Sequence, residues 1–400
     1  MKKKSLTLIQ ITDHCLAEIG GSVTLFFDLS KNLSPFIDKQ LLFVTSSPKN
    51  MNIFKHSISS NSNLYQIHAV HSYKKIRFLG IPTFLFLYAF NLIRILRELN
   101  LENNKNIVFV HCVLLGAFLL FWRKMFGIKM PVLVIDAASS HFRSGIGTCI
   151  KNIISLLFFS LLNCDKYSFG ADINDVKRLT KIVKLLRINY DIHYYGIDTD
   201  YFKPSEKTSD QFIILFPHRL DAYKQPDLAI KIFQQFINNN TGKDIKLFFV
   251  GGGPEYYKIK KFVILSNIED KVIFFGYVEQ SKMKSFYNLS DVFIGTSLKS
   301  NYGLAIQEAM SCAKPVVIFE GEFFDDDVDL VEHGLDGFKV KNGDINEFVN
   351  HIQLLYENND LRKVIGINAR NKIIKKRSKN NIIKNYVKIM NELYNKEDFD

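Results

Sequence analysis

Cysteine is scarce: Cys15, Cys112, Cys149, Cys164 and Cys312 are the five in 400 residues, and no two stand at CxxC spacing. An odd, scattered set speaks against a disulfide framework or a zinc site and suits a reducing cytoplasm. Long apolar runs are missing as well. The longest, FLGIPTFLFLYAFNLI at 78–93, stops short of the roughly 20 residues that a spanning helix needs. It reads as a helix buried against a sheet. No internal repeat or low-complexity segment is present. The opening Met-Lys-Lys-Lys-Ser is basic, but the apolar stretch behind it is short and soon interrupted by Asp13, His14 and Glu18. That pattern is expected to be a first strand, not a targeting segment.

What is present is ordinary globular composition, 47% hydrophobic and 23% charged, long enough for about two domains. The net charge of +12 is unevenly spread: residues 1–200 hold 24 basic and 13 acidic side chains, residues 201–400 hold 28 and 27. Only the first half is built to sit near negative charge. Lys74, Lys75 and Arg77 precede the apolar run, Arg94 and Arg97 close it, and Arg123, Lys124 and Lys129 flank the next one. Basic residues beside apolar and aromatic ones suit attachment to an anionic membrane surface. They match no nucleic-acid-binding module, so no nucleic-acid partner is expected.

Short apolar runs that read as buried strands recur at 6–11, 40–44, 107–111, 132–135 and 166–169, separated by helix-like segments at 22–33, 81–99, 113–126 and 148–163. After Pro204 the alternation restarts. Strands are expected at 212–216, 246–250, 272–275, 291–294 and 315–318, with helices at 226–238, 255–266, 280–289 and 303–311 between them. Strands alternating with helices imply right-handed crossovers and parallel sheets. The expected fold is therefore α/β, two Rossmann-like doubly wound domains over 1–204 and 205–378, followed by a helix-forming stretch, 379–400. Ligands of such sheets bind outside the carboxyl ends of the strands.

The chemistry concentrates between 212 and 338. His218, Arg219 and Lys224 stand on a loop after a strand, where Arg and Lys can pair with a diphosphate. Gly251, Gly252 and Gly253 separate a strand from a helix and let backbone approach an anion. Gly303 opens a helix whose free N–H groups suit a phosphate. Glu308, one turn on among Ala305, Ile306, Ala309 and Met310, reads as half-buried. A carboxylate there can accept two hydrogen bonds from a vicinal diol such as that of ribose.

HRLDAYKQPDL, VGGGPE, VIFFGYV, YNLSDVFIGTS, NYGLAIQEAMSCAKPVV and DLVEHGLDGF follow one another between residues 218 and 338. Together they resemble the retaining glycosyltransferases of the GT-B fold, family 4 (glycosyl transferases group 1). YYGIDTDYFKP at 194–204 is similar to the family's linker before the second domain, and EIGGS at 18–22 to its first glycine turn. NCDKYSFGADINDVKRL resembles the last strand and helix of its first domain. The resemblance implies two domains facing across a cleft, with the 379–395 helix crossing back onto the first.

It also implies a cytoplasmic, metal-independent hexosyltransferase with no cofactor, using a nucleoside-diphosphate sugar, a UDP-sugar ahead of a GDP-sugar. Arg219 and Lys224 would hold the diphosphate and Glu308 the ribose hydroxyls. The backbone of Tyr302, Gly303 and Leu304, next to Asn301, would meet the distal phosphate. Gly276 to Val278 would lie near the base, and Gly20 and Gly21 near donor or acceptor. The family's histidine after the fifth strand has two counterparts, Asp136 and His141, either of which can serve the reaction. The acceptor implied is a lipid-linked, lipopolysaccharide or capsular glycan.

The chain departs from the family at one position: Ser300 stands where the Glu-x7-Glu signature has its first Glu, the residue that ordinarily touches the donor sugar. That keeps two other readings open, a non-catalytic binding subunit and a sugar-nucleotide epimerase.

Overall fold

The computed structural model describes residues 6–15, 29–45, 62–67, 80–98, 101, 106–136, 145–170, 176–194, 196–297, 303–320 and 330–395. The chain divides into two compact units, one formed by Met1–Tyr194 with Ile382–Asp400, the other by Tyr195–Asn381.

In the first unit the strands are β1 (Thr7–Cys15), β2 (Lys39–Thr45), β3 (Ser62–Ile67), β4 (Asn106–Val110), β5 (Val132–Asp136), β6 (Lys166–Gly170) and β7 (Tyr190–His193). They form one seven-stranded sheet, β3-β2-β1-β4-β5-β6-β7, with every pairing parallel. β4 and β5 are buried along their whole length. A parallel sheet covered on both faces selects such unbroken apolar strands. The labelled crossover helices are α1 (Gly80–Glu98), α2 (Val113–Met125), α3 (Gly145–Leu161) and α4 (Val176–Leu185).

The two apolar runs that suggested a membrane contribute to the core where their side chains are described. Leu92, Ile93 and Leu96 of α1 and Leu115, Leu119 and Leu120 of α2 are buried. The chain's single tryptophan, Trp122, lies 4.8 Å from the Phe86 ring and 4.9 Å from Phe90, and donates to the Phe86 carbonyl at 3.2 Å. Among the described residues no helix is long and apolar enough to cross a membrane.

The second unit carries β8 (Phe212–Phe216), α5 (Pro226–Asn239), β9 (Ile245–Val250), α6 (Tyr256–Leu265), β10 (Val272–Gly276) and α7 (Gln280–Leu289). After these come β11 (Val292–Gly295), α8 (Leu304–Ser311), β12 (Val316–Phe319), β13 (Phe338–Val340), α9 (Ile345–Glu357) and α10 (Asn359–Arg377). Its sheet runs β10-β9-β8-β11-β12-β13, again all parallel. Alternate β8 residues feed two cores. Phe212, Ile214 and Phe216 pack with α5, α6 and α9, whereas Ile213 and Leu215 pack with α7, α8 and α10. Both sheets thus have the doubly wound parallel order expected, reversing at β1/β4 and at β8/β11.

The boundary between the units falls at 194/195, not at 204/205. Ile197 and Phe202 are buried in the second core, and Arg370 reaches the carbonyls of Phe202 and Thr199 at 3.1 and 3.3 Å. At the far end the break lies at 381/382 instead of 378/379. The Ile197 N–H donates to Arg377 and the Ile197 carbonyl accepts from Lys379, both at 2.8 Å, which holds the break between α10 and α11 (Lys379–Asn395) to the second unit. From Ile382 on, α11 belongs to the first unit, where Tyr386 meets Phe109 at 6.1 Å and Glu392 pairs with Lys166 at 2.9 Å.

Candidate functional site

At the carboxyl ends of the second sheet, the loops after β8, β9 and β10 and the start of α8 surround a cavity of about 710 Å³. It lies over the carboxyl ends of β8, β9 and β10, on the side of the sheet's reversal between β8 and β11. Arg219 and His218 come from the β8 loop, Gly251–Gly253 from the β9 loop, Tyr277 and Val278 from the β10 loop, and Leu304, Ala305 and Glu308 from α8. Gln280, Met283 and Tyr287 complete the lining from one face of α7.

The loops interlock through backbone. The Leu220 N–H donates to Gly252 at 3.0 Å, Glu255 to Leu220 at 3.0 Å and Gly251 to Gly276 at 2.8 Å. This packing, more than ligand approach, fixes two of the three glycines. Gly251 has φ +140°, and a Cβ on it would stand 2.3 Å from the His218 carbonyl; one on Gly253 would stand 2.2 Å from that of Leu220. Gly252 has open space beside it, so packing does not require a glycine there.

Glu308 is the carboxylic acid of the lining. It is 4% exposed, its Oε2 accepts from the Tyr287 hydroxyl at 2.8 Å, and its Oε1 accepts from the Gln280 amide. Burial pushes its carboxyl up to about 7, only partly offset by those two hydrogen bonds. Tyr287, itself buried beside the carboxylate, is held well above the usual phenol range and stays a donor. His218 lies edge-on to Phe216 and Phe293, at 4.9 and 5.3 Å. Burial first, then the Lys224 charge, keeps it well below the usual imidazole range, so the ring is neutral. Arg219 is mostly exposed and reaches Asp221 at 3.6 Å. α8 begins at Gly303, which provides no side-chain cap, so its first N–H groups have no side-chain partner from the cap residue.

Of the residues singled out from sequence, His218, Arg219, Gly251, Gly252, Gly253, Tyr277, Val278, Leu304 and Glu308 line this cavity. Gly276 lies just outside, bonded to Gly251, and Gly303 caps α8. Lys224 does not line the cavity. It ends a 3-10 turn capped by Asp221, its carbonyl accepts from the Thr296 hydroxyl at 2.9 Å, and its charge bears on His218. Ser300, Asn301 and Tyr302, Gly20 and Gly21, and His141 lie outside the described residues. Asp136 ends β5 in the first unit, 1% exposed and accepting from the Tyr167 hydroxyl at 2.9 Å. It is a buried acceptor and not a group presented to solvent.

Sequence reasoning missed Gln280 and Tyr287, although Gln280, Met283 and Tyr287 stand at the i, i+3, i+7 spacing of one helix face. It also missed Gln10 and His111 in the first unit. Their side chains meet at 3.0 Å on β1 and just beyond β4, the strands between which that sheet reverses.

With this geometry in place, the comparisons fall into line. Residues 198–372 match the model of the family described as glycosyl transferases group 1. The matched span covers most of the second unit, including the residues that line the cavity. Over 94% of its length the chain is 23% identical to the N-acetyl-alpha-D-glucosaminyl L-malate synthase of Bacillus anthracis, covering 95% of that protein. A 27% match to the poly(ribitol-phosphate) alpha-N-acetylglucosaminyltransferase of Staphylococcus aureus covers 43% of this chain and 34% of the other. Among solved structures, HepE of Anabaena in complex with UDP shares the fold with a TM-score of 0.69 at 16% identity, over 97% of this chain and 100% of that one.

Proposed function

We propose that the protein is a retaining, metal-independent hexosyltransferase that moves a sugar from a nucleoside diphosphate, UDP ahead of GDP, to a hydroxyl of a lipid-linked, lipopolysaccharide or capsular glycan at the cytoplasmic membrane face. One observation carries the donor side: a buried carboxylate, Glu308, on the floor of a cavity whose mouth holds Arg219 and the uncapped start of α8. The ribose hydroxyls donate to Glu308, displacing the Gln280 amide, while Tyr287 keeps the carboxylate in place. The diphosphate lies between Arg219 and the N–H groups of Gly303 and Leu304, with Tyr302 and Asn301 before them. Lys224 adds positive charge from behind the β8 loop. The base rests by Val278 and the open side of Gly252. Arg219, released from Asp221, meets the charge that develops on the departing diphosphate, which supplies transition-state stabilisation.

In the step itself the bond from the anomeric carbon to the phosphate oxygen breaks and the acceptor oxygen attacks from the same face. Its proton passes to the leaving phosphate. On the resemblance alone, Ser300 stands for the sugar-contacting Glu, Gly20 and Gly21 would serve donor or acceptor, and His141 would serve the sugar. Asp136 acts through Tyr167, organising the carboxyl ends of β5 and β6. The UDP bound to HepE supports the choice of base, and the poly(ribitol-phosphate) named as acceptor for the staphylococcal relative supports an anionic acceptor.

Turnover of UDP- and GDP-sugars, hydrolysis included, tests this with a panel of glycan acceptors. Acceptor-dependent release of UDP with the anomeric configuration kept is the expected result. An epimerised sugar nucleotide released without acceptor would make the protein an epimerase, and no turnover of any kind would make it a binding subunit.

A further inference from the structure

Leu92, Ile93 and Leu96 of α1 and Leu115, Leu119 and Leu120 of α2 are buried, but another apolar surface on the same unit is not. Along α3, Ile154, Leu157, Phe158 and Leu161 face solvent at i, i+3, i+4 and i+7, and Leu161 is 70% exposed. Leu185, at the end of α4, is 80% exposed. The two helix ends are tied together, since the Ser160 hydroxyl donates to the Leu186 carbonyl at 2.8 Å. The end of α2 joins them through Arg123, which donates to the Asn163 carbonyl at 3.0 Å and pairs with Asp165. These apolar side chains thus form one surface, running from the helix ends up the flank of α3.

The helices that carry it are basic. α2, α3 and α4 contain Arg123, Lys124, Lys151, Lys177, Arg178, Lys181 and Lys184, and not one Asp or Glu. Arg187 and Lys129, both exposed, follow α4 and α2. Asp165, the carboxylate beside the helix ends, is already paired with Arg123. An exposed apolar stripe marks a contact surface, and the exposed Lys124, Lys129, Lys181, Lys184 and Arg187 around it select an anionic partner into which apolar groups can also sink.

We propose that the exposed face of α3, with the end of α4, docks the first unit on an anionic lipid bilayer. Leu161 and Leu185 enter the acyl boundary, and Lys181, Lys184 and Arg187 pair with lipid phosphates. The choice of a bilayer over a protein partner rests on the reading of a lipid-linked acceptor. A bilayer along this flank places such an acceptor beside the helix that leads from the carboxyl end of β5.

The test is flotation of the full chain with phosphatidylcholine vesicles and with vesicles that also contain phosphatidylglycerol. Binding is expected to the anionic vesicles only and to weaken as salt rises. The double substitution Leu161→Glu, Leu185→Glu and, separately, Lys181→Glu, Lys184→Glu should each cut partitioning about tenfold or more. All four side chains are exposed, and an unchanged melting temperature verifies the fold of each variant. Wild-type protein that stays unbound, or variants that float as wild type does, would overturn the surface. So would a concentration-dependent dimer abolished by the leucine substitutions, because the face would then join two copies of the chain. A thermal shift with UDP, run in parallel, reports on the donor reading alone. A retained shift without flotation sinks only the surface; patch-dependent flotation without a shift sinks only the donor reading.

Discussion

Glu308 is held between two demands. Folding buries its carboxyl, which favours the proton; a diol that donates two hydrogen bonds favours the charge. Because its folded pKa is raised from 4.5 to about 7, its contribution to stability is full below 4.5 and is lost as pH rises through about 7. Glu308→Gln carries no such titration. Between about pH 5 and about pH 8 the variant should therefore gain on wild type by on the order of 3 kcal/mol, read as a difference in melting temperature. Parallel melting curves across that range would show that the carboxyl titrates normally. UDP affinity should move the other way, rising with pH towards about 7 and flattening above it.

Tyr287→Phe removes one of the two donors to Glu308 and should cost about 1–3 kcal/mol, shifting the midpoint of the UDP–pH profile upward. An unmoved midpoint would deny Tyr287 its positioning role. Glu308 was legible in sequence because an acid among Ala305, Ile306, Ala309 and Met310 asks for a partner. The partners themselves were not, since Gln and Tyr on a helix carry no such contradiction.

At the scale of elements, the glycine loop after β9 separates packing from ligand contact. Gly251→Ala forces a side chain onto a positive φ against the His218 carbonyl and should lower stability by about 1–3 kcal/mol. Gly252→Ala meets open space, so it should leave the melting temperature near wild type while weakening UDP. Equal losses of stability at both positions would refute the distinction.

The same scale explains which strands the sequence displayed. β4, β5 and β8 are central and wholly buried, so each reads as an apolar run. β3, β7 and β13 were not anticipated, and all three are edge strands. Their sequences, SNLYQI, YDIH and FKV, carry polar residues because an edge is covered less completely. The apolar runs of α1 and α2 read as buried helices, and their described residues are packed so. Trp122 packs against Phe86 and Phe90 of α1, and the exposed apolar stripe belongs to α3.

At the scale of the whole molecule, two sheets with separate cores should unfold as two calorimetric transitions. Tyr386→Ala, which empties a site 2% exposed in the first unit, should lower one of them by about 3–5 kcal/mol. UDP should raise the other, the one that Gly251→Ala lowers. One transition moved by all three would contradict independent units. The excess of basic charge in the first half was plain from composition, as was the ordered series of motifs that located the donor half. Composition could not show which face carries the charge, because that depends on which helices the sheet leaves uncovered. The central claim is that a nucleoside diphosphate occupies the cavity above Glu308. Calorimetric titration of UDP into wild type and Glu308→Ala tests it most directly. The account predicts saturable binding by wild type and a dissociation constant raised about tenfold or more in the folded variant. Equal affinity for the two proteins would contradict it.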